Sequence, residues 1–221
     1  MFLGHFAVGF AAKRVAPRTS LTTLMVAATL LDLLWPVFLW LGLEHVLIEP
    51  HAATPFENLD FLYYPWSHSA LMALVWALLF AVLYRFRRRY TTGAFVVAAA
   101  VFSHWVLDWV THVPDLPLAP GAAKVGLRLW DHTSATVIVE VIMYVVGLAL
   151  YLRTTRARNW QGHVSLWSIA LLIAFAYYGD VMAPPPPSVQ MLKTVALAGS
   201  LLTLWFVWVD RTRMLRNPDA A

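Results

Sequence analysis

The chain of 221 residues contains no cysteine and few charged side chains. Without cysteine, thiolate metal sites, disulfide bonds and cysteine nucleophiles are excluded. Charged residues make up 13% of the chain, whereas hydrophobic residues make up 60%. A soluble domain of this size needs far more charge to cover its surface. The composition therefore predicts an integral membrane protein, folded as one transmembrane domain over residues 1–221.

Six segments are apolar and about 20 residues long, which is the length that crosses a bilayer as a helix. A shorter apolar arm, residues 1–12, precedes them. This arm is predicted to form a helix that lies in the membrane interface or re-enters the membrane. The predicted fold class is all-α, a polytopic membrane helix bundle with about six spans. The predicted spans are residues 21–43, 65–84, 91–113, 133–152, 163–182 and 189–209.

Basic residues concentrate at the ends of the apolar segments. Four clusters, at 13–18, 85–89, 153–158 and 211–216, hold 13 of the 16 Lys and Arg residues. In a six-span chain all four lie on one side, which the positive-inside rule makes cytoplasmic. The predicted location is a bacterial inner membrane with both terminal basic segments in the cytoplasm. Clusters this short indicate topology signals and predict no nucleic-acid partner.

Three ionisable residues share one face of the third predicted span. His104, Asp108 and His112 follow one another at four-residue intervals in VFSHWVLDWVTHV, 101–113. This spacing places side chains one above another on an α-helix. Ionisable groups in a membrane helix are costly and face a protein interior or a wet cavity. The face is therefore predicted to form one wall of a metal site.

Further ionisable residues fall at a similar predicted depth. Counting the helix rise from the basic clusters places Asp32, His104 and Glu140 at about 20 Å. The same count places His68 and Asp108 at about 26 Å. Residues from four spans thus share one layer in the outer half of the membrane, which predicts a pocket there. An Asp32 that serves packing alone is the structural alternative.

Four other polar residues are assigned to the surroundings of this layer. His112 lies one turn above Asp108. Together with Ser103, it is predicted to lie at the rim of the site or to contact a ligand without binding the metal. Asp131 and His132 follow a Pro- and Gly-containing loop at the outer mouth. They could be ligands, substrate contacts or a helix cap.

The residue types in the layer suit a divalent metal ion. Imidazoles combined with carboxylates bind Zn²⁺, and also Mn²⁺ or Fe²⁺. A catalytic metal activates a water molecule, and a carboxylate that is not a ligand can take its proton. Glu140 and Asp32 are the candidates for this general base. The predicted reaction is hydrolysis of an ester, phosphoester or amide in a lipid or lipid-linked substrate.

A family resemblance rests on short motifs in the first half of the chain. The pattern is Gly4-His5, a mid-span Asp32, Ser-His-Ser at 67–69 and Ser-His-x-x-x-Asp at 103–108. It resembles the bacterial membrane-bound metal-dependent hydrolases, which include LexA-regulated inner-membrane proteins and are distantly similar to zinc-dependent phospholipase C. The resemblance implies metal ligands at His5, Asp32, His68, His104 and Asp108.

The sequence departs from the family pattern at two places. Leu34 stands where that family tends to have a second carboxylate, in P-D-x-D. Tyr63 and Tyr64 stand where it tends to have His and Arg, in H-R-G-x-T-H-S. Fewer ligands leave room for a single metal ion.

Other functions remain open from the sequence. The same polar cluster could form the ion path of an ion- or proton-coupled transporter. His68 and His104 could bind haem in a membrane electron carrier. A structural scaffold is a further alternative. The oligomeric state is not determined by the sequence.

Overall fold

The computed structural model describes residues 1–217 as a bundle of helices. Short strand pairs close the connections at the ends of the helices. The helices are α1 (Leu3–Val15), α2 (Leu21–Ala28), α3 (Leu30–Trp40), α4 (Pro65–His68), α5 (Ala70–Arg88), α6 (Thr91–Thr111), α7 (Thr133–Thr154), α8 (Trp160–Met182), α9 (Val189–Gly199) and α10 (Leu202–Thr212). The strands pair antiparallel as β1 (His45–Ile48) with β2 (Leu59–Tyr63), β3 (Leu116–Pro117) with β4 (Lys124–Val125), and β5 (Thr155–Ala157) with β6 (Arg213–Leu215).

Among residues 1–217, five helical segments are long and apolar enough to cross a membrane. They are α5, α6, α7, α8 and the continuous stretch of α9 and α10, Val189–Thr212. The prediction of an all-α fold with helices able to span a membrane is thereby confirmed. A sixth span requires α2 and α3 to cross together, and these two helices are bent by 58°. The count of six stays a prediction.

The bend between α2 and α3 lies at Thr29. The Thr29 backbone N–H and side-chain hydroxyl both donate to the Met25 carbonyl, at 3.0 and 2.9 Å. A hydroxyl that bonds back onto the preceding turn competes with the regular helix pattern and bends helices. Pro36 is not the site of the bend, because it lies inside α3. The break instead leaves the Ala28 carbonyl at the end of α2.

A second break separates α4 from α5. Ser69 is extended between them, and its hydroxyl accepts a hydrogen bond from the Met72 backbone N–H at 3.2 Å. Serine in this position caps the start of a helix. The predicted span 65–84 is therefore two helices, and His68 ends a separate turn instead of lying in the first turn of α5.

Helix α1 lies inside the bundle against α2, α6 and α7. The contact with α7 is close because Gly147 has no side chain. A Cβ atom at Gly147 would lie 2.4 Å from the Ala7 carbonyl oxygen. Small residues permit such close helix packing in membrane proteins. As a result, His5 is only 1% exposed.

The basic clusters meet at one end of the bundle. Arg18 lies over the Tyr90 ring, with 5.2 Å between the guanidinium carbon and the ring centroid. Thr155 of β5 pairs with Leu215 of β6, which brings the 153–158 and 211–216 clusters together. The predicted arrangement of these clusters on one side agrees with this packing. Their cytoplasmic location remains a prediction.

Candidate metal centre

Five of the predicted site residues come together at one place in the bundle. His5 comes from α1, Asp32 from α3, His68 from α4, and His104 and Asp108 from α6. Their ligand atoms form two overlapping groups that share His104, and within each group the atoms lie within 4.8 Å of one another. The first group is His5, Asp32 and His104, and the second is His68, His104 and Asp108.

The distances between these atoms suit ligands of one metal ion. His104 Nε2 lies 3.2 Å from Asp108 Oδ2 and 3.5 Å from Asp32 Oδ1. His68 Nε2 lies 3.8 Å and 3.5 Å from the same two oxygens. Metal–ligand bonds of about 2.0–2.2 Å place neighbouring atoms of a tetrahedral site about 3.3–3.6 Å apart. The four separations therefore lie close to this range.

The hydrogen bonds of His104 direct a lone pair into the site. His104 Nδ1 lies 2.9 Å from the Ala28 carbonyl oxygen, which can only accept, so Nδ1 carries the proton. His104 is 0% exposed, and its Nε2 has no hydrogen-bond partner. An unpartnered nitrogen is costly at such a buried position. A cation at Nε2, facing Asp32 and Asp108, would satisfy it and the two carboxylates together.

A hydrogen-bond relay from Glu44 through Ser67 to His68 directs the Nε2 atom of His68 into the site as well. Ser67 Oγ donates to Glu44 Oε2 at 2.7 Å and lies 2.7 Å from His68 Nδ1. Since the serine proton is used on Glu44, His68 Nδ1 donates to Ser67 and leaves Nε2 free for the site. Burial raises the pKa of the Glu44 carboxyl, and the hydrogen bonds from Ser67 act against that rise. Outer hydrogen bonds of this kind orient metal-binding histidines.

Replacing Ser67 by alanine is expected to weaken metal binding by about 10- to 100-fold, the usual effect of losing an outer partner of a ligating histidine. The change removes the acceptor that fixes the His68 tautomer but no candidate ligand. Titration of metal-free protein with Zn²⁺ measures the effect. Ser103→Ala is the matched control, because Ser103 donates only to the Ala100 carbonyl. Equal affinities for the two variants would exclude the relay from metal binding.

His5 and Asp108 connect α1 to the site. The His5 ring stacks on the His104 ring, with centroids 3.5 Å apart and planes at 5°. His5 Nε2 lies 3.1 Å from Asp108 Oδ1, which also accepts from the Met1 amino group. Asp108 thus presents one oxygen to α1 and the other to His68 and His104. The carboxylate joins the two groups of ligand atoms.

A cavity of about 150 Å³ opens beside the cluster. Asp32, His68 and Asp108 lie in its wall, and the Asp32 side chain is 49% exposed. In contrast, the side chains of His104 and Asp108 are 0% and 3% exposed. Most of the remaining wall is aromatic, formed by Phe2, Trp35, Phe56, Phe61, Tyr64 and Trp130.

Glu140, a predicted general base, contacts the first residues of α1. It is buried in α7, and its Oε2 accepts from the backbone N–H groups of Phe2 and Gly4 at 2.8 and 3.3 Å. It belongs to neither group of ligand atoms. The carboxylate holds the start of α1, which carries His5. Its predicted role as a general base remains untested.

The predicted surrounding residues divide into two sets. His112 lines the cavity, and its Nδ1 lies 2.9 Å from Asp115 Oδ1. Asp131 accepts from Arg128 Nε at 2.7 Å, and this bond lowers the pKa of the Asp131 carboxyl. His132 is exposed at the start of α7, and its side chain caps no backbone N–H. These last two residues and Ser103 do not line the cavity.

Comparison with protein-family models, curated proteins and solved structures finds no match. The resemblance to membrane-bound metal-dependent hydrolases therefore remains an expectation from the short motifs. The functional argument depends on the geometry of the site.

Proposed function

We propose that the protein is a membrane hydrolase with one divalent metal ion, Zn²⁺ by preference and Mn²⁺ or Fe²⁺ as alternatives. One observation carries the proposal: the Nε2 atoms of His68 and His104 meet Asp32 and Asp108 at 3.2–3.8 Å in the wall of a cavity. Imidazole and carboxylate ligands suit these metals.

The protonation of His104 favours a single ion. Its Nδ1 is used by Ala28, so Nε2 alone must serve both groups of ligand atoms. His68, His104 and Asp108 are the proposed ligands, while Asp32 and His5 face the same centre. A bound ion of this type lowers the pKa of a coordinated water and polarises a carbonyl or phosphoryl oxygen.

Asp32 is the proposed general base. Its side chain is half exposed to the cavity, whereas the Asp108 carboxylate is buried and shared among three histidines. A carboxylate that substrate and water can reach is able to take a proton during hydrolysis. The Glu140 Oε2 atom is already used by backbone N–H groups of α1.

The aromatic wall supports a substrate with an apolar part. Flat apolar rings around a few polar groups are typical of sites for small molecules with apolar groups. In a membrane protein, a lipid or lipid-linked ester, phosphoester or amide fits this wall. We further propose six spans with α1 as a re-entrant helix, and a bacterial inner membrane with the basic end in the cytoplasm.

Replacing Asp32 by asparagine is expected to lower the rate of hydrolysis by about 10²- to 10⁴-fold, the usual contribution of a general base. The amide keeps an oxygen near the centre but cannot accept the proton. The protein is reconstituted into vesicles that contain phospholipids and lipid-linked sugars, and mass spectrometry measures the headgroups and acyl chains that are released. Asp60→Asn is the control, since Asp60 is exposed in β2. An unaltered rate in the Asp32→Asn variant would exclude Asp32 as the base.

Ion-coupled transport is the second candidate because α2 and α3 are bent by 58° beside Asp32. Broken helices next to a polar site are typical of secondary transporters. Proton or metal-ion flux into liposomes, without turnover of any lipid in the panel, would favour transport over hydrolysis.

A further inference from the structure

Two recesses lie side by side at the basic end of the bundle, far along α1 and α7 from the metal centre. The first has a volume of about 360 Å³ and the second about 350 Å³, and Leu215 lines both. The walls come from the end of α1, the end of α7 with β5, and β6. Three parts of the chain that are distant in sequence thus form one surface.

The first recess is lined by three arginines from three different segments. Arg14 lies in the last turn of α1, Arg153 in the last turn of α7, and Arg216 directly after β6. The Arg216 Nε group donates to the Leu152 and Thr155 carbonyl oxygens, both at 3.0 Å. These bonds fix the guanidinium plane. No acidic side chain lines this recess among residues 1–217.

The second recess adds two buried cations. Lys13 is 8% exposed and Arg213 is 5% exposed. Both donate to uncharged oxygens, Lys13 to the Thr19 carbonyl and Arg213 to oxygens of Thr155 and Gly162. Asp210 also lines the recess, but its oxygens accept from backbone and hydroxyl groups at the start of α2.

The positive charge of these side chains is not balanced by ion pairs. Within the described chain, Arg128 is the one Lys or Arg residue in an ion pair, and it lies at the opposite end with Asp131. The three arginines of the first recess are exposed, whereas the two cations of the second recess are buried. Buried charges are costly unless a partner of opposite sign is present. Guanidinium groups match phosphate oxygens in geometry as well as charge. Basic pockets between membrane helices bind phospholipid headgroups.

We propose that the recess of Arg14, Arg153 and Arg216 binds a phosphate-bearing anion, which the buried charges of Lys13 and Arg213 attract further. The phosphate can belong to an anionic phospholipid headgroup or to a free phosphate ion. The site is separate from the metal centre and does not depend on hydrolysis.

The proposal is tested by native mass spectrometry of the full chain with added lipids. Wild-type protein is expected to retain phosphatidylglycerol at least about tenfold more than phosphatidylcholine, given the attraction of several basic groups to anionic lipid. The preference should disappear in the triple variant Arg14→Gln, Arg153→Gln, Arg216→Gln, which is called the recess variant. Since Arg216 also bonds to backbone, the Arg14→Gln, Arg153→Gln variant is measured as well and should lose most of the preference.

The control variant removes the same charge at the same end of the bundle. Arg85→Gln, Arg87→Gln, Arg88→Gln changes three arginines of α5 that line neither recess. It is expected to keep the lipid preference. Equal loss in the control and the recess variant would overturn the proposal, because general attraction to the basic end would then explain binding.

Competition with inorganic phosphate identifies the source of the anion. A site for free phosphate would be indicated by two results together. Millimolar phosphate would displace the bound lipid, and it would raise the Tm of the wild type but not of the recess variant. Retention of lipid under the same conditions would indicate a phospholipid site. Binding of neither ligand above the level of the recess variant would overturn the proposal.

Discussion

Replacing His104 by alanine is expected to reduce bound metal from about one ion per chain to background and to abolish hydrolysis. His104 belongs to both groups of ligand atoms, and its buried Nε2 forms no hydrogen bond within the described residues. Its removal deprives both Asp32 and Asp108 of the imidazole that lies within 3.5 Å of each. Loss of a central ligand cannot be compensated by His68, whose Nε2 already faces the same carboxylates.

The control for this variant is His163→Ala, which removes an exposed histidine of α8. It should retain the metal content and activity of the unaltered protein. Size-exclusion chromatography and circular dichroism verify that both variants are folded. A folded His104→Ala variant with a full complement of metal would show that His104 has a structural role and is not a metal ligand.

Removal of the metal is expected to lower thermal stability strongly. Ligand at 100 times its Kd stabilises a protein by about 2.7 kcal/mol. One kcal/mol changes Tm by about 2–4 °C in a chain of this size, so chelation should lower Tm by about 5–11 °C. The physical reason is that the ion would join His68 of α4 to His104 and Asp108 of α6. The side chains of His5 from α1 and Asp32 from α3 face the same centre.

The His104→Ala variant serves as the reference for this experiment. Because it lacks the central ligand, its Tm should be insensitive to both chelator and added Zn²⁺. A chelator effect of the same size in the variant would place the stabilising metal elsewhere. An unchanged Tm in chelated wild-type protein would contradict a metal ion that joins α4 to α6.

Much of the site could be predicted from the sequence because membrane burial makes polar residues conspicuous. The four-residue spacing of His104 and Asp108 predicts one helix face, and both side chains point into the cluster. Counting helix rise placed Asp32 and His68 near the same depth, and they lie at 3.5 Å from each other. These two predictions follow from the regular geometry of the α-helix and from the free-energy cost of burying a charged side chain.

The sequence could not predict the breaks that orient the ligands. The bend at Thr29 gives His104 a carbonyl partner, and the extended Ser69 separates His68 from α5. Both depend on hydrogen bonds between serine or threonine side chains and nearby backbone, which leave no clear periodic signal. Glu44 lies in the connection between α3 and β1, and the sequence gives no sign that it is buried there and accepts a hydrogen bond from Ser67.

The position of Glu140 shows a related limit. Depth alone placed it with the ligands, whereas its side chain turns toward the first residues of α1. Depth along a helix is readable from sequence, but the direction in which a side chain points depends on its packing partners. The Ser-His-Ser motif was the one available signal for the relay, because both neighbours of His68 are hydroxyl residues.

Elemental analysis of the full chain, purified without chelator, tests the metal centre most directly. About one equivalent of Zn, Mn or Fe per chain is predicted, given the imidazole and carboxylate ligands. X-ray absorption at the edge of that metal should then show nitrogen and oxygen neighbours at about 2.0–2.2 Å. Protein that is folded, free of these metals and unable to take up Zn²⁺ would contradict the account.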